Sequence, residues 1–295
     1  MVGWQAYLAG VVWALQQAGH QVDGADLVLT SDVPVGAGLS SSAALECATL
    51  ATLADLNELE IAPLERAQLA RRCENEFVGA PTGLMDQAAS TLCVTDHALF
   101  FDCRSFAFQQ VPLQLASADL EILVLDTNTP HALVDSEYAD RRTTCEDAAQ
   151  LLGIGALRDV DDLDDALGRL SDPVMRRRVR HVVTEDARVL EAVATLKAGR
   201  LADLAPLLDA SHVSMRDDFE ITVPTVDLAV DAARQAGALG ARMTGGGFGG
   251  CIIALAGAGE GEAVAAHIYG EFESAGYRRP QHFVAQPSNG AARIR

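Results

Sequence analysis

The chain has 295 residues, of which 49% are hydrophobic, as is typical of a globular protein with a substantial core. Its net charge of −19 argues against binding to nucleic acid or to anionic membranes, because both need clustered lysine and arginine. Six cysteines without a CxxC pair or a histidine at zinc spacing favour reduced thiols and a cytoplasmic location.

The first half of the chain predicts helices and strands around one loop rich in glycine and serine. Apolar residues at helical spacing predict a core helix over 3–18, not a targeting or membrane segment. The further expectations are a strand at 25–31, a loop at 32–39, a helix at 40–56, a helix from Pro63 to about Phe77, a short helix at 84–93, and strands at 97–102, 105–111 and 119–125.

The second half predicts paired helices and a few strands. We expect helices at 135–152, 173–197, 200–215, 224–236 and 260–275, and strands at 239–244, 250–256 and 281–286. The acidic stretch 159–172 is loosely patterned and predicts a surface excursion. The chain is therefore expected to be α+β, with a partial N-terminal lobe at 1–125 and a C-terminal lobe at 126–295.

Residues 34–45, PVGAGLSSSAAL, stand between the predicted strand and helix and indicate an anion-binding loop. A helix N-terminus offers unpaired N–H groups and the positive end of a dipole, and small residues let a phosphate approach them. A simpler interpretation is a tight turn at Gly36 and Gly38 with Ser40 as N-cap, although one cap needs only one hydroxyl. A Walker loop is excluded because Lys197 is the only lysine, and a dinucleotide fingerprint fits poorly.

A second glycine-rich loop spans Met243-Thr-Gly-Gly-Gly-Phe-Gly-Gly-Cys251. Two such loops favour a nucleotide or phosphate-transfer enzyme. The alternative is a strand crossover that needs glycine only for its positive φ angles.

Both loops resemble motifs of the GHMP kinases, and three further stretches narrow the resemblance to the galactokinases. These are the run from Glu74 to Gln87 (ENEFVGAPTGLMDQ), the run from Ser136 to Arg142 (SEYADRR) with Cys145-Glu146, and the run from Ser211 to Asp218 (SHVSMRDD). The resemblance extends from about residue 4 to residue 290. It implies a two-lobed fold with mixed or antiparallel sheets packed by helices. It also implies phosphorylation of galactose at O1 by ATP, giving galactose 1-phosphate and ADP.

The resemblance assigns roles to individual residues. Asp86 would be the catalytic base, or the electrostatic partner, for the O1 proton; alone, an Asp at a helix start is usually a cap. Glu74 and Ser42 would hold Mg²⁺, where an isolated Glu would be a solvated helix face. Gly83, Asp86 and Tyr138 would contact the sugar, although Tyr138 could equally be a core aromatic.

The remaining assignments concern the two loops. The ATP phosphates would be held by Pro34, Gly36, Ala37, Gly38, Leu39, Ser40, Ser41 and Ser42. The glycine loop near the site would contribute Gly245, Gly246 and Gly247. Two pairs of charged residues need no functional role. Arg141 and Arg142 can be surface charges that pair with Glu137 or Glu146 at helical spacing. Asp217 and Asp218 can be a solvated pair at a helix end.

One signature of the family, Gly-Arg-x-Asn-Leu-Ile-Gly-Glu-His-x-Asp-Tyr, does not occur in this chain. In the family it supplies an arginine near the phosphoryl group and most polar contacts to the sugar, so the activity of this chain alone stays open. We expect a monomer whose partners are ATP and a small sugar. The alternatives are a kinase for a related sugar such as N-acetylgalactosamine, and a non-catalytic sugar or nucleotide sensor.

Overall fold

The computed structural model describes residues 3–36, 38–80, 82–129 and 134–294, apart from the side chains of 134–136 and 138. The chain divides into two compact units. Unit 1 comprises Met1–Val35, Ser40–Leu113 and Gln286–Arg295, and unit 2 comprises Gly36–Leu39 and Gln114–Ala285. Within the described ranges, no helix is both long and apolar enough to cross a membrane.

Unit 1 is a helical layer with one β-hairpin. Its elements are α1 (Gln5–Gln17), α2 (Ser41–Leu56), α3 (Pro63–Arg72), α4 (Met85–Leu92), β1 (His97–Phe101) and β2 (Phe108–Pro112). Pro63 begins α3, where its fixed φ angle suits the first turn, and a π-helical turn at Cys73–Val78 continues it. The core of the unit packs Val11 and Leu15 of α1 against Leu50 and Leu53 of α2. This packing fixes α2, and with it the serine-rich start of that helix.

The strand predicted at 25–31 is wrong. Residues 20–32 carry no regular secondary structure, and Val28 is 96% exposed. A β-strand exists only when a neighbouring strand pairs with its backbone N–H and C=O groups. In the part of the chain that the structure describes, no strand pairs with this segment.

Unit 2 is built on a four-stranded antiparallel sheet with the strand order β4-β5-β3-β6. The strands are β3 (Leu120–Asp126), β4 (Gly240–Met243), β5 (Cys251–Gly257) and β6 (Gln281–Ala285). Its helices are α5 (Val134–Leu152), α6 (Leu163–Arg169), α7 (Pro173–Lys197), α8 (Ala205–Ser214), α9 (Pro224–Gln235) and α10 (Gly261–Ser274). The main core packs Val230 of α9 and Ile268 and Phe272 of α10 with Ile252 of β5.

The acidic stretch 159–172 contains α6, so the predicted surface excursion is wrong over that helix. Asp162 caps the helix by accepting a hydrogen bond from the Asp165 N–H at 3.0 Å. Ala166 and Leu167 are buried in a cluster with α5 and α7. The acidic residues mask this short apolar face in the sequence.

The α+β class with antiparallel sheets packed by helices is confirmed. Helix α7 matches its predicted bounds at Pro173 and Lys197, and the strands β4 and β5 enclose the second glycine loop as expected. The lobe boundary expected near residue 126 stays a prediction.

Gly240 marks a close approach between β4 and α8. A Cβ atom at this position would collide with the carbonyl oxygen and Cα of Ala205. We expect Gly240→Ala to destabilise the protein by about 1–3 kcal/mol in urea unfolding, because backbone atoms must move to accept it. The control is Gly270→Ala on α10, where a Cβ meets no atom within 4 Å; it should stabilise by about 0.5–1 kcal/mol. Equal effects of the two substitutions would contradict the prediction.

Candidate active site

The start of α2 lacks a side-chain cap. Ser40 stands at the N-cap with φ 56° and ψ 42°, and its hydroxyl makes no capping hydrogen bond. A capping side chain needs an extended backbone at that position, which the left-handed conformation does not provide. The interpretation of Ser40 as an ordinary cap is therefore wrong. Its side chain leaves the N–H groups of the first helical turn available to a ligand.

The serine hydroxyls at this helix start are also available. Ser40, Ser41 and Ser42 are all partly buried, and across the described ranges none of their hydroxyls makes a hydrogen bond. Together with the N–H groups of the first helical turn they form a set of donors at the positive end of the helix dipole. Such a helix start is suited to a phosphate.

Glu74 lies on the π-helical turn and is only 4% exposed, so it is not a solvated helix face. Its Oε2 accepts hydrogen bonds from the Gln87 amide nitrogen at 2.6 Å and from the Thr82 hydroxyl at 2.9 Å. Its Oε1 accepts none from the described residues, and it does not belong to their fully buried unpartnered atoms. One carboxylate oxygen is therefore fixed by the protein, and the other is free for a ligand.

This arrangement fits Mg²⁺, which binds through one or two carboxylates and keeps its other positions for water and phosphate oxygens. Among the described residues, no group of three or more His, Cys, Asp or Glu side chains could hold a metal by itself. Of the two residues expected to hold the metal, Glu74 has an unengaged carboxylate oxygen and Ser42 an unengaged hydroxyl among the described residues. Their number and type match a metal that arrives with its phosphate ligand.

Gln87 and Glu46 are functional candidates that sequence reasoning missed. Both are fully buried, and the Gln87 amide nitrogen donates to Glu46 Oε2 at 3.3 Å as well as to Glu74. Burial, with a further contribution from the Glu74 charge, raises the pKa of Glu46 to about 8. The Glu46 carboxyl is therefore mostly protonated at neutral pH. The available signal was a lone glutamate inside the apolar helical run Ala43–Leu53.

Asp86 sits in the first turn of α4, where it caps nothing. The carboxylate is partly buried and makes no hydrogen bond or ion pair with a described residue. The next residue, Gln87, is held by Glu46 and Glu74, so the backbone that carries Asp86 is anchored. Gly83 lies exposed just before this helix. Asp86 is thus a carboxylate on an anchored backbone that no described side chain engages.

The second glycine loop connects β4 and β5 in unit 2. Gly245 and Gly247 have φ angles of 83° and 90°, whereas Gly246 has no positive φ. A Cβ on Gly245 would lie 2.9 Å from the Gly38 carbonyl oxygen, and one on Gly247 would lie 2.7 Å from that of Ile221. These glycines are required for close backbone packing as well as for their φ angles, and Gly245 packs directly against the Gly36–Leu39 segment.

Several predicted residues of the loop can be placed only in part. Gly36 and Gly38 have left-handed φ angles of 77° and 73°, and Leu39 packs against Val124 and Cys251. Pro34 is partly buried. Ala37 and the Tyr138 side chain lie outside the described residues.

The two arginines of the SEYADRR run behave differently. Arg142 pairs with Glu146 at 2.8 Å with 65% of its side chain exposed, as the spacing predicts. Arg141 pairs with Glu137 at 3.5 Å, as the spacing predicts, but its interpretation as a surface charge is wrong. It is only 17% exposed and donates hydrogen bonds to the Phe219 and Glu220 carbonyl oxygens.

Asp217 and Asp218 also differ in their exposure and in their partners. Asp217 is an exposed partner of Arg216, as expected of a solvated residue. Asp218 is mostly buried and pairs with Arg180 at 3.1 Å, so its interpretation as a solvated residue is wrong. Neither geometry is that of a paired-carboxylate site.

The raised pKa of Glu46 predicts a pH dependence of stability. A carboxyl with a folded pKa near 8 and an ordinary value of 4.5 binds its proton more tightly in the folded state, so its contribution is lost as pH rises from about 4.5 to about 8. Glu46→Gln removes this titration. Urea unfolding at pH 5.5, 7.0 and 8.5 should show the variant gaining stability relative to wild type as pH rises. The exposed Glu76→Gln should keep the wild-type slope. A Glu46→Gln curve parallel to wild type would contradict the assignment.

Comparison with known proteins agrees with this geometry. The model for the GHMP kinases N terminal domain matches residues 6–93, and the model for the GHMP kinases C terminal matches residues 192–277. A galactokinase of Streptomyces coelicolor is 50% identical over 99% of this chain and 76% of its own length. A galactokinase of Mycobacterium tuberculosis is 45% identical over 100% of this chain and 82% of its own length.

Solved structures give the same result. The galactokinase of Lactococcus lactis, crystallised with galactose, superposes with a TM-score of 0.93 at 33% identity, covering 100% of this chain and 78% of that chain. A mevalonate kinase, at 16% identity and a TM-score of 0.61, shares the fold. The chain therefore belongs to the galactokinases of the GHMP kinase family, which are ATP-dependent sugar kinases.

Proposed function

We propose that this chain transfers the terminal phosphoryl group of ATP to the O1 hydroxyl of galactose. The O1–phosphorus bond forms, the bond from that phosphorus to the β-phosphate oxygen breaks, and the products are galactose 1-phosphate and ADP. Support comes from the galactokinase relatives at 45–50% identity and from the matching structure that was solved with galactose.

The observation that carries the proposal is the hydrogen bonding of Gln87. Its buried amide nitrogen binds Glu46 of α2, the helix that begins with the three serines, and also binds Glu74 of the π-helical turn. Gln87 follows Asp86 directly on α4. One side chain therefore ties together the elements of unit 1 that carry the phosphate-binding serines, the metal ligand and the base.

Asp86 acts on the proton of O1 in this scheme. An anomeric hydroxyl is a weak nucleophile, and a carboxylate within hydrogen-bond reach can accept its proton as the oxygen attacks phosphorus. Asp86 has no competing partner among the described residues. The N–H groups and hydroxyls at the start of α2 hold the phosphates, so that attack proceeds from a fixed geometry.

Glu74 and Ser42 would hold the Mg²⁺ that accompanies ATP. The ion, when bound, would offset the negative charge that develops during transfer. The chain has one lysine, Lys197, and a net charge of −19, so an added cation suits a site that must accept a polyanion.

We further propose that the enzyme works as a monomer in the cytoplasm. In support of the location, Cys47, Cys73, Cys93 and Cys145 are free thiols, as expected in a reducing compartment.

The direct test is a coupled assay of ADP release from the purified chain with Mg²⁺-ATP and a panel of sugars. We expect release with galactose and little with N-acetylgalactosamine, and phosphorus NMR should identify a sugar 1-phosphate. Binding of ATP and galactose by calorimetry, without turnover of any sugar, would overturn the kinase assignment in favour of a sensor. A preference for N-acetylgalactosamine would overturn the sugar assignment.

Asp86→Asn tests the base. The amide preserves size but cannot accept the O1 proton, so we expect kcat to fall by about 10²–10⁴-fold. Galactose and ATP should still bind, with dissociation constants within about threefold of wild type because the substitution keeps the shape of the site. Activity of the variant close to wild type would remove Asp86 from its role.

Glu74→Gln tests the metal ligand. Loss of the carboxylate charge should raise the Mg²⁺ concentration for half-maximal rate by about tenfold or more, because a hard divalent cation prefers a charged oxygen. The matched control is Glu76→Gln, two residues along the same turn, where the side chain is exposed and pairs with Arg72 at 3.0 Å. An equal Mg²⁺ requirement in both variants would argue against Glu74 as a ligand.

A further inference from the structure

Arg141 of α5 donates hydrogen bonds to a turn of the chain that lies nearly eighty residues away in sequence. Its Nε donates to the Phe219 carbonyl oxygen at 2.8 Å, and its Nη2 donates to the Glu220 carbonyl oxygen at 3.0 Å. The planar guanidinium is suited to two neighbouring acceptors, and lysine cannot reproduce this fork. The turn follows the π-helical segment Met215–Phe219 and contains Glu220 at a left-handed φ of 55°.

The same turn holds the second glycine loop. The carbonyl oxygen of Ile221, the residue after Glu220, accepts a hydrogen bond from the Phe248 N–H at 2.7 Å. The Phe248 ring also faces the Arg141 guanidinium, whose central carbon lies 5.6 Å from the ring centroid. Arg141 therefore contacts both the turn and the loop that the turn supports.

Phe248 needs this support because its backbone is strained. It has a φ of 59°, a conformation that costs a bulky non-glycine residue free energy and persists only where surrounding contacts impose it. The contacts that impose it among the described residues include the Ile221 carbonyl and the Arg141 guanidinium.

The glycine loop in turn rests on the first loop. Gly245 packs so closely on Gly38 that a Cβ would lie 2.9 Å from the Gly38 carbonyl oxygen. Gly38 precedes the serine-rich start of α2 by only two residues. A shift of the glycine loop would therefore displace Gly38, which belongs to the predicted phosphate-binding loop.

We propose that Arg141 is a positioning residue for phosphate binding: it fixes the turn 219–221 and the Phe248 ring, and so sets the glycine loop against Gly38. This inference rests on the proposed function for its catalytic consequence. Arg178 binds the same turn independently: it donates hydrogen bonds to the Asp218 carbonyl oxygen and, at 2.6 Å, to the Glu220 carboxylate. Loss of Arg141 should therefore loosen the loop without unfolding the turn.

The test compares Arg141→Gln and Arg141→Lys with Arg142→Gln in the full chain. Arg142 is adjacent on α5, forms an exposed pair with Glu146, and serves as the matched control. Hydrogen–deuterium exchange is measured over residues 243–252 in the protein without ligands. Steady-state kinetics with galactose and ATP are measured in parallel.

We expect faster exchange at the loop amides, Phe248 above all, in both Arg141 variants and unchanged exchange in Arg142→Gln. KM for ATP should rise about tenfold in Arg141→Gln and less in Arg141→Lys, because misplaced phosphate contacts weaken binding. A merely structural loss would reduce the folded fraction, and hence the apparent kcat, without changing KM.

The outcomes separate the two proposals. Unchanged exchange of the loop in Arg141→Gln, or faster exchange with an unchanged KM for ATP, would overturn the positioning role. If no sugar is phosphorylated by wild type while Arg141→Gln still exposes the loop and weakens ATP binding in calorimetry, the proposed function fails and the positioning role stands. Where Arg141→Gln does not fold, Arg141→Lys provides the same readouts.

Discussion

The structure of unit 1 depends on the hydrogen bonds of one buried amide. Gln87 donates from a single nitrogen to Glu46 and to Glu74, two carboxyl groups carried by different elements. Two buried negative charges this close would repel each other at low dielectric, and the pKa of Glu46 is raised to about 8 as a result of burial and of the Glu74 charge. The cluster therefore holds a neutral carboxyl, Glu46, beside Glu74, whose Oε1 is available to a ligand.

So acidic a chain must bind the phosphates of ATP through local donors. With a net charge of −19 and one lysine, the protein cannot attract phosphate through a general positive potential. The donors at the start of α2 are N–H groups and hydroxyls, which interact only at short range and in fixed directions. Binding therefore depends on the exact placement of backbone, and the packing behind each loop becomes part of the site.

The sequence predicted those parts of the structure that local patterns determine. Periodicity, together with proline and glycine at element ends, predicts helices α2 and α7 and the strands around the second glycine loop. The strand at 25–31 failed because strand formation depends on a partner that no local pattern reveals. The burial of Glu46 and Arg141 was not predicted from the sequence, for a related reason. Each is an ionisable residue on a helix. The groups that bury it, Gln87 for Glu46 and the carbonyl oxygens of 219 and 220 for Arg141, are distant in sequence.

The two loops are supported by different chemistry, and this has a consequence for their tolerance of substitution. Behind α2 the contacts join side chains, so an isosteric change at Glu46 can preserve the geometry while removing the titration. Behind the glycine loop, Arg141 and Phe248 bind backbone carbonyl oxygens, which every residue at 219, 220 and 221 would supply equally. Substitution at these positions therefore keeps the acceptors for Arg141 and Phe248. The three side chains have separate roles, because Phe219 stacks on His181, the Glu220 carboxylate pairs with Arg178, and Ile221 is buried in the core. The conformation of this loop thus depends on one arginine, on a helix remote in sequence, and on the glycines that allow close packing.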